Sequence, residues 1–95
     1  MVGSWYTKGM RAIVVYKDNT EYSRVVLEYL RDLNHQSGKS LEQVDPDTRA
    51  GTQFCETYGI IEYPTIVVLD DAGQMIQTWQ GLPLPLISEV SYYAR

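Results

Sequence analysis

Few residues of this sequence could act as nucleophiles. The 95 residues include one cysteine, Cys55, and one histidine, His35. Thr20 and Ser23 lie at the start of a segment with helical apolar spacing. A serine nucleophile needs a base beside it, yet Ser23 and His35 would lie roughly 20 Å apart on one helix at 1.5 Å per residue. We therefore expect no Ser–His pair, and helix capping is the simpler role for Thr20 and Ser23.

A single thiol limits the redox chemistry. Cys55 follows Phe54 on the apolar stripe of a predicted helix, so we expect a small buried hydrophobic residue. The alternative is a redox-sensing thiol, which would have to be exposed and have a lowered pKa. We predict no metal site, because His35 and Cys55 have no partners at ligand spacing.

Composition and charge exclude several classes of partner. The net charge is −4 and the isoelectric point is about 4.7, whereas nucleic acids and anionic membrane surfaces attract basic proteins. No stretch approaches the roughly 20 apolar residues that span a bilayer, and no signal peptide is visible. With a lone thiol, these features predict a cytoplasmic protein that binds neither nucleic acid nor membrane.

Hydrophobic periodicity and turn residues divide the chain into an arm and one domain. Residues 1–10 lack a periodic pattern and are interpreted as an N-terminal arm, and residues 11–95 as the domain. Asp45-Pro46-Asp47 is expected to cap the second helix, and Gly59 to end it. The predicted elements are, in order, strand 11–16, helix 20–34, strand 40–45, helix 46–58, strand 63–70, strand 74–80 and helix 83–94.

This β-α-β-α-β-β-α order predicts an α/β fold. Strands joined through a helix are expected to be parallel, while the DDAG turn at 70–73 makes the last two strands antiparallel. The prediction is a mixed four-stranded sheet with helices on both faces.

The segment VDPDTRAGTQFCETYGIIEYPTIVVLDDAGQMIQTWQG resembles thioredoxins, with their V-D, helix, aromatic-G-I, P-T, strand, D-x-G and strand pattern. The resemblance covers residues 11–94 and implies a thioredoxin-like fold of glutaredoxin size. It implies that Pro64, followed by Thr65, has a cis peptide bond facing the functional site. The backbone of the residue before it would then be free to pair with an extended substrate.

The segment VVYKDNTEYSRVV, residues 14–26, resembles the start of glutaredoxins but departs from them at the two redox positions. Aligning Tyr22 with the Tyr of their C-P-Y-C motif places Thr20 and Ser23 at the two cysteines. The alternative register places Asn19 and Tyr22 there. Neither pair can run a dithiol–disulfide cycle, because hydroxyl groups neither ionise as thiols do nor accept the two electrons.

The combined interpretation is a non-catalytic thioredoxin-like domain without a cofactor, expected to be a monomer. It would bind an extended segment of a protein partner, or a glutathione-like ligand, in the cis-proline groove. The alternatives are a one-cysteine redox protein using Cys55 and a structural domain that acts beside a redox partner. For Tyr16, Tyr22 and Tyr63, which are predicted to lie at the groove, the competing interpretation is that at least one belongs to the core. The predicted groove residues are Tyr16, Thr20, Glu21, Tyr22, Ser23, Tyr63, Pro64 and Thr65.

Overall fold

The computed structural model describes residues 10–94, so the predicted arm lies outside the described residues except for Met10. The order of elements in this range is the predicted one. The elements are β1 (Arg11–Val15), α1 (Ser23–Ser37), β2 (Glu42–Val44), α2 (Arg49–Tyr58), β3 (Thr65–Leu69), β4 (Met75–Gln80) and α3 (Ile87–Tyr93).

The four strands form one mixed sheet in the order β2-β1-β3-β4. β1 is parallel to β2, and β3 is antiparallel to both β1 and β4. The predicted fold class is confirmed, but the expectation that β3 runs parallel to the strands before it is wrong.

The path between β2 and β3 explains this reversal. The Tyr58 hydroxyl, at the end of α2, donates to the Gly73 carbonyl in the β3–β4 turn at 2.8 Å. The ten residues of α2, about 15 Å at 1.5 Å each, therefore bring the chain to the far end of the sheet. Residues 59–64 are not helical, and six extended residues can span roughly 20 Å. They return the chain, so β3 starts where β2 ended.

Successive residues of the two central strands are buried on opposite faces of the sheet. Ala12 and Val14 of β1 face α1 and α3, whereas Ile13 and Val15 face α2. All five residues of β3 are buried. Strands covered on both faces read as unbroken apolar runs, which is why the sequence shows these two strands clearly.

The start of α1 is later than predicted. Residues 18–22 form turns, with Asn19 at a φ of 58°, and the helix begins at Ser23. Tyr22 occupies the capping position but makes no side-chain capping bond. Gly38 ends the helix at a φ of 73°, as its freedom to adopt positive φ predicts.

The cap of α2 is Thr48 rather than an aspartate. The Thr48 hydroxyl accepts a hydrogen bond from the Gly51 N–H at 2.9 Å. Asp45 instead forms a turn, its carboxylate accepting from the Asp47 N–H at 2.9 Å. A Cβ atom on Gly51 would overlap the Asp45 carbonyl, so this turn packs directly against the helix. Gly59 ends α2 as predicted.

The last helix is shorter than expected. It begins at Ile87, so Pro83 and Pro85 precede it rather than occupying its first turn. No helix within residues 10–94 is both long and apolar enough to cross a membrane.

Candidate proline-loop site

The pairing of β1 with β3 brings two chain segments together at one end of the sheet. Val15 is the last residue of β1, and it pairs with Thr65, the first residue of β3. Lys17 therefore leaves the sheet beside the place where Tyr63 and Pro64 enter it. The turn at 18–22 then leads from Lys17 to α1.

The backbone at Tyr63 is open. The Tyr63–Pro64 peptide is cis, and the Pro64 carbonyl accepts from the Gly81 N–H at 2.8 Å. Within residues 10–94, neither the N–H nor the carbonyl of Tyr63 makes a hydrogen bond. Main-chain polar groups normally have a partner, so this position offers one donor and one acceptor to a bound molecule.

Pro64 and Thr65 support the loop from inside. Both side chains are fully buried, and Thr65 is only 1% exposed. The Thr65 hydroxyl donates to the Glu62 carbonyl at 2.6 Å. These two predicted groove residues therefore hold Tyr63 in place and are not themselves accessible to a ligand.

Lys17 connects both sides of the site. Its Nζ lies 5.4 Å from the centre of the Tyr63 ring and 3.7 Å from Oδ1 of Asp47. Its backbone N–H donates to the Tyr22 hydroxyl at 3.4 Å. Lys17 was not predicted as a site residue, since a single lysine after a strand carries no pattern. It gives this end of the sheet a cation among aromatic rings.

The hydroxyl groups of Thr20 and Ser23 bond within the turn. Thr20 Oγ1 donates to the Lys17 carbonyl, and Ser23 Oγ donates to the Thr20 carbonyl, both at 2.9 Å. Glu21 between them is exposed. These bonds stabilise the turn that contains Tyr22. The Ser23 hydroxyl donates to a backbone carbonyl and not to a basic side chain. Residues 10–94 contain no group of three or more His, Cys, Asp or Glu side chains that could hold a metal ion.

Tyr16 is a core residue. Its side chain is 6% exposed and packs with the α1 and α3 side of the sheet, and its hydroxyl donates to Gln43 Oε1 at 2.9 Å. Burial, together with the charges of Asp18 and Asp45, raises the pKa of Tyr16. The structure thus separates Tyr16 from Tyr63, which packs on the opposite face.

An apolar depression of about 280 Å³ lies beside Tyr63. Cys55 and Ile60 are buried beneath it, while Ile61 at its rim is 87% exposed. This depression was not predicted. The two consecutive isoleucines after Gly59 were its sequence signal, because the core buries only Ile60 and leaves Ile61 exposed. The lining residues are Pro46, Thr52, Cys55, Glu56, Gly59, Ile60, Ile61 and Tyr63.

The Tyr63 phenol links the depression to Lys17. Burial raises the pKa of Tyr63, and its contact with the Cys55 thiol and the charge of Asp47 raise it further. We call the open Tyr63 backbone, with Lys17, Tyr22 and this depression, the proline-loop site. Cys55 is 7% exposed, as a buried structural thiol would be.

Solved structures identify the fold. No protein-family model matches this sequence, and no curated protein is similar to it. A mutant thioredoxin from Halobacterium salinarum superposes with a TM-score of 0.71 at 19% identity, covering 93% of this chain and 77% of that one. The fold is thioredoxin-like.

Two further thioredoxins agree with this assignment. The oxidised protein from Plasmodium falciparum has a TM-score of 0.69 at 16% identity, with 93% of this chain and 84% of that one covered. A mutant from Entamoeba histolytica has a TM-score of 0.62 at 23% identity, with 81% and 74% covered. At these identities the likeness of the thioredoxin-like chain to its neighbours concerns the fold alone.

Proposed function

We propose that this thioredoxin-like chain is a binding domain that holds an extended segment of a partner protein at the proline-loop site without exchanging disulfides. The sequence has one cysteine, and that cysteine is buried. Thr20 lies in the turn before α1 and Ser23 is the first residue of α1; these are the positions to which the resemblance to glutaredoxins assigns the two redox cysteines. Both hydroxyls donate to backbone carbonyls and serve structure.

The open backbone of Tyr63 carries the proposal. Its N–H and carbonyl have no partner among the described residues, and they lie at the end of a well-anchored central strand. An extended peptide can donate to one and accept from the other, as in other cases where a strand is added to a sheet. The backbone pair supplies affinity, and neighbouring side chains supply selectivity.

Two features of the site define the ligand. The depression beside Tyr63 has an apolar lining that includes Ile60 and Ile61, which suits a bulky apolar side chain of the bound segment. Lys17 provides one cation at the opposite side, which suits a carboxylate. A glutathione-like tripeptide, short and with two carboxylates, is therefore the small-molecule alternative to a protein segment.

A redox function through Cys55 is the second candidate. Cys55 and Tyr63 line the same depression, which favours this function because it puts the only thiol of the sequence near the open backbone. Its burial opposes it, since a reactive thiol must meet its oxidant. The alkylation rate described in the Discussion separates the two candidates.

Amide hydrogen exchange tests the binding function directly. The 15N-labelled chain is titrated with reduced glutathione and with dodecapeptides selected from a random display library. We expect a bound peptide to slow exchange of the Tyr63 amide by at least about tenfold, because a free N–H becomes bonded. Chemical shifts should change at Lys17, Tyr22 and Ile61.

Two variants control the experiment. Tyr63→Ala should weaken binding by about tenfold, since it removes the ring but not the loop. Tyr92→Ala removes an exposed ring on α3, on the other face of the sheet from Tyr63, and should leave affinity unchanged. Bound peptides that leave the Tyr63 amide exchanging freely, or that bind both variants equally, would overturn the proposal.

A further inference from the structure

A second cluster of aromatic rings lies on the opposite face of the sheet from Tyr63. Trp79 of β4 and Tyr93 of α3 both pack against the core on the α1 and α3 side. Tyr92, next to them, is 73% exposed. The three rings, together with Gln77 and Glu89, line a depression of about 230 Å³.

The secondary structure explains why these side chains converge. Glu89, Tyr92 and Tyr93 are spaced i, i+3 and i+4, so they share one face of α3. Gln77 and Trp79 are two residues apart, so they share one face of β4. Two elements therefore contribute separate walls to one depression.

The ring of Tyr93 stands at a steep angle to each of the other two rings and contacts both edge to face. The planes of Tyr92 and Tyr93 meet at 88° with centres 5.0 Å apart, and those of Trp79 and Tyr93 meet at 62° with centres 6.0 Å apart. A cation about 4.5 Å above two perpendicular rings leaves their centres roughly 6 Å apart, within the range of cation–π attraction. The Trp79 and Tyr93 centres have this spacing, with their planes at 62° rather than 90°, whereas the Tyr92 and Tyr93 centres are closer together.

We propose that Trp79, Tyr92 and Tyr93 form an aromatic cage that binds a trimethylammonium group, with Glu89 as its counter-charge. The faces of aromatic rings attract cations, and a methylated ammonium is weakly hydrated enough to leave water for them. A volume of 230 Å³ corresponds to roughly eight water molecules at about 30 Å³ each. That is more than the five heavy atoms of a trimethylammonium group on one carbon need.

The charge of Glu89 distinguishes a cation-binding cage from an ordinary apolar pocket. An apolar pocket would accept a neutral ligand of the same shape as readily as a cation. A cage with a carboxylate prefers the cation. Lys39, which donates to the Ser91 carbonyl of α3 at 2.9 Å, is not part of the lining and does not neutralise Glu89 there.

The test uses tetramethylammonium, choline and 3,3-dimethylbutanol, the neutral isostere of choline. Trp5→Phe leaves Trp79 as the only tryptophan, so its fluorescence reports binding. We expect saturable changes with both cations and at least about tenfold weaker binding of the isostere. Trimethyl-lysine amide in a parallel titration shows whether a protein side chain binds better than free choline.

Variants of exposed residues locate the site. Tyr92→Ala and Glu89→Gln should each weaken tetramethylammonium binding about two- to fivefold, the range expected for one cation–π or charge contact. Leu86→Ala, an exposed residue that precedes α3 and does not line this depression, should have no effect. Equal affinity for choline and its neutral isostere, or unchanged binding in the Tyr92→Ala chain, would overturn the proposal.

Discussion

The ammonium group of Lys17 lies 5.4 Å from the centre of the Tyr63 ring, although the two residues are 46 positions apart in the chain. The distance joins the exit from β1 to the entry into β3. It also connects the two parts of the proline-loop site, because Tyr63 carries the open backbone and Lys17 carries the charge.

Replacing Lys17 should lower ligand affinity but leave the chain folded. Lys17→Met removes an exposed ion pair and a cation–π contact, each worth at most about 1 kcal/mol. We expect the free energy of unfolding in urea to fall by about 2 kcal/mol or less. Affinity for a carboxylate-bearing peptide should fall about tenfold. Lys17→Arg is the matched control and should keep most of the affinity; a large loss in that variant would argue against a simple charge contact.

Two cysteines at the start of α1 should create disulfide exchange. Thr20→Cys together with Ser23→Cys places thiols at the start of a helix, where the positive end of the helix dipole favours the thiolate. We expect insulin reduction by dithiothreitol to accelerate at least about tenfold over the unmodified chain. The matched control is Asn19→Cys with Tyr22→Cys, the alternative register. A folded Thr20/Ser23 double variant without activity would contradict the assignment of these positions.

Cys55 should react slowly in the native chain. Its 7% exposure predicts that iodoacetamide alkylates it at least about 100-fold more slowly than in urea, because access requires local opening. Mass spectrometry of timed samples gives the rate. Glu56→Cys in a Cys55→Ala background provides an exposed thiol on the same helix for comparison. Fast labelling of native Cys55 would revive the one-cysteine redox function.

The buried hydroxyl of Tyr29 should make stability fall at high pH. Within the described residues this hydroxyl has no hydrogen-bond partner, and burial, helped by Glu89, raises the pKa of Tyr29 to about 12 from 10.0. The pKa of Tyr29 is higher in the folded chain than in the unfolded chain. The stabilisation of the fold that this difference gives is therefore complete below about pH 10 and is lost as the pH rises towards 12. Because the Tyr29 side chain is only partly buried, solvent screening keeps the loss well below the roughly 2.7 kcal/mol that two pKa units would give.

Tyr29→Phe tests both parts of this expectation. At pH 7 it should stabilise the chain by about 1 kcal/mol or leave it unchanged, since an unpaired buried hydroxyl is costly. Between pH 9 and 11 it should lose less stability than the unmodified chain in urea unfolding. Tyr92→Phe, at an exposed position, should leave the pH dependence unaltered. A destabilised Tyr29→Phe chain would mean that the hydroxyl has a partner.

Local pattern was enough to predict the elements but not the direction of β3. The β1 and β3 runs, the spacing in α1 and the glycines after α1 and α2 gave the order correctly. The direction of β3 depends on how far residues 59–64 travel, and no periodicity encodes that distance. The capping role of Thr48 was missed because Asp45 and Asp47 offered the same chemistry a few residues earlier.

The candidate site was predictable only where its residues are neighbours in sequence. Tyr63, Pro64 and Thr65 were identified together because the P-T pattern is local. Lys17 and the depression above Cys55 depend on the pairing of β1 with β3 and on the return path after α2. Tyr16 was predicted to line the groove but lies in the core. The alternation along a strand shows that successive side chains point to opposite faces of the sheet, but not which face a ligand uses.

The burial of Pro64 and Thr65 determines how a mutational scan of this protein should be read. Substitutions at those two positions will lower the yield of folded protein, whatever they do to partner engagement. Hits there would mimic functional hits while reporting on packing alone. Only accessible positions such as Lys17, Tyr22 and Ile61 can separate a lost partner from a lost fold.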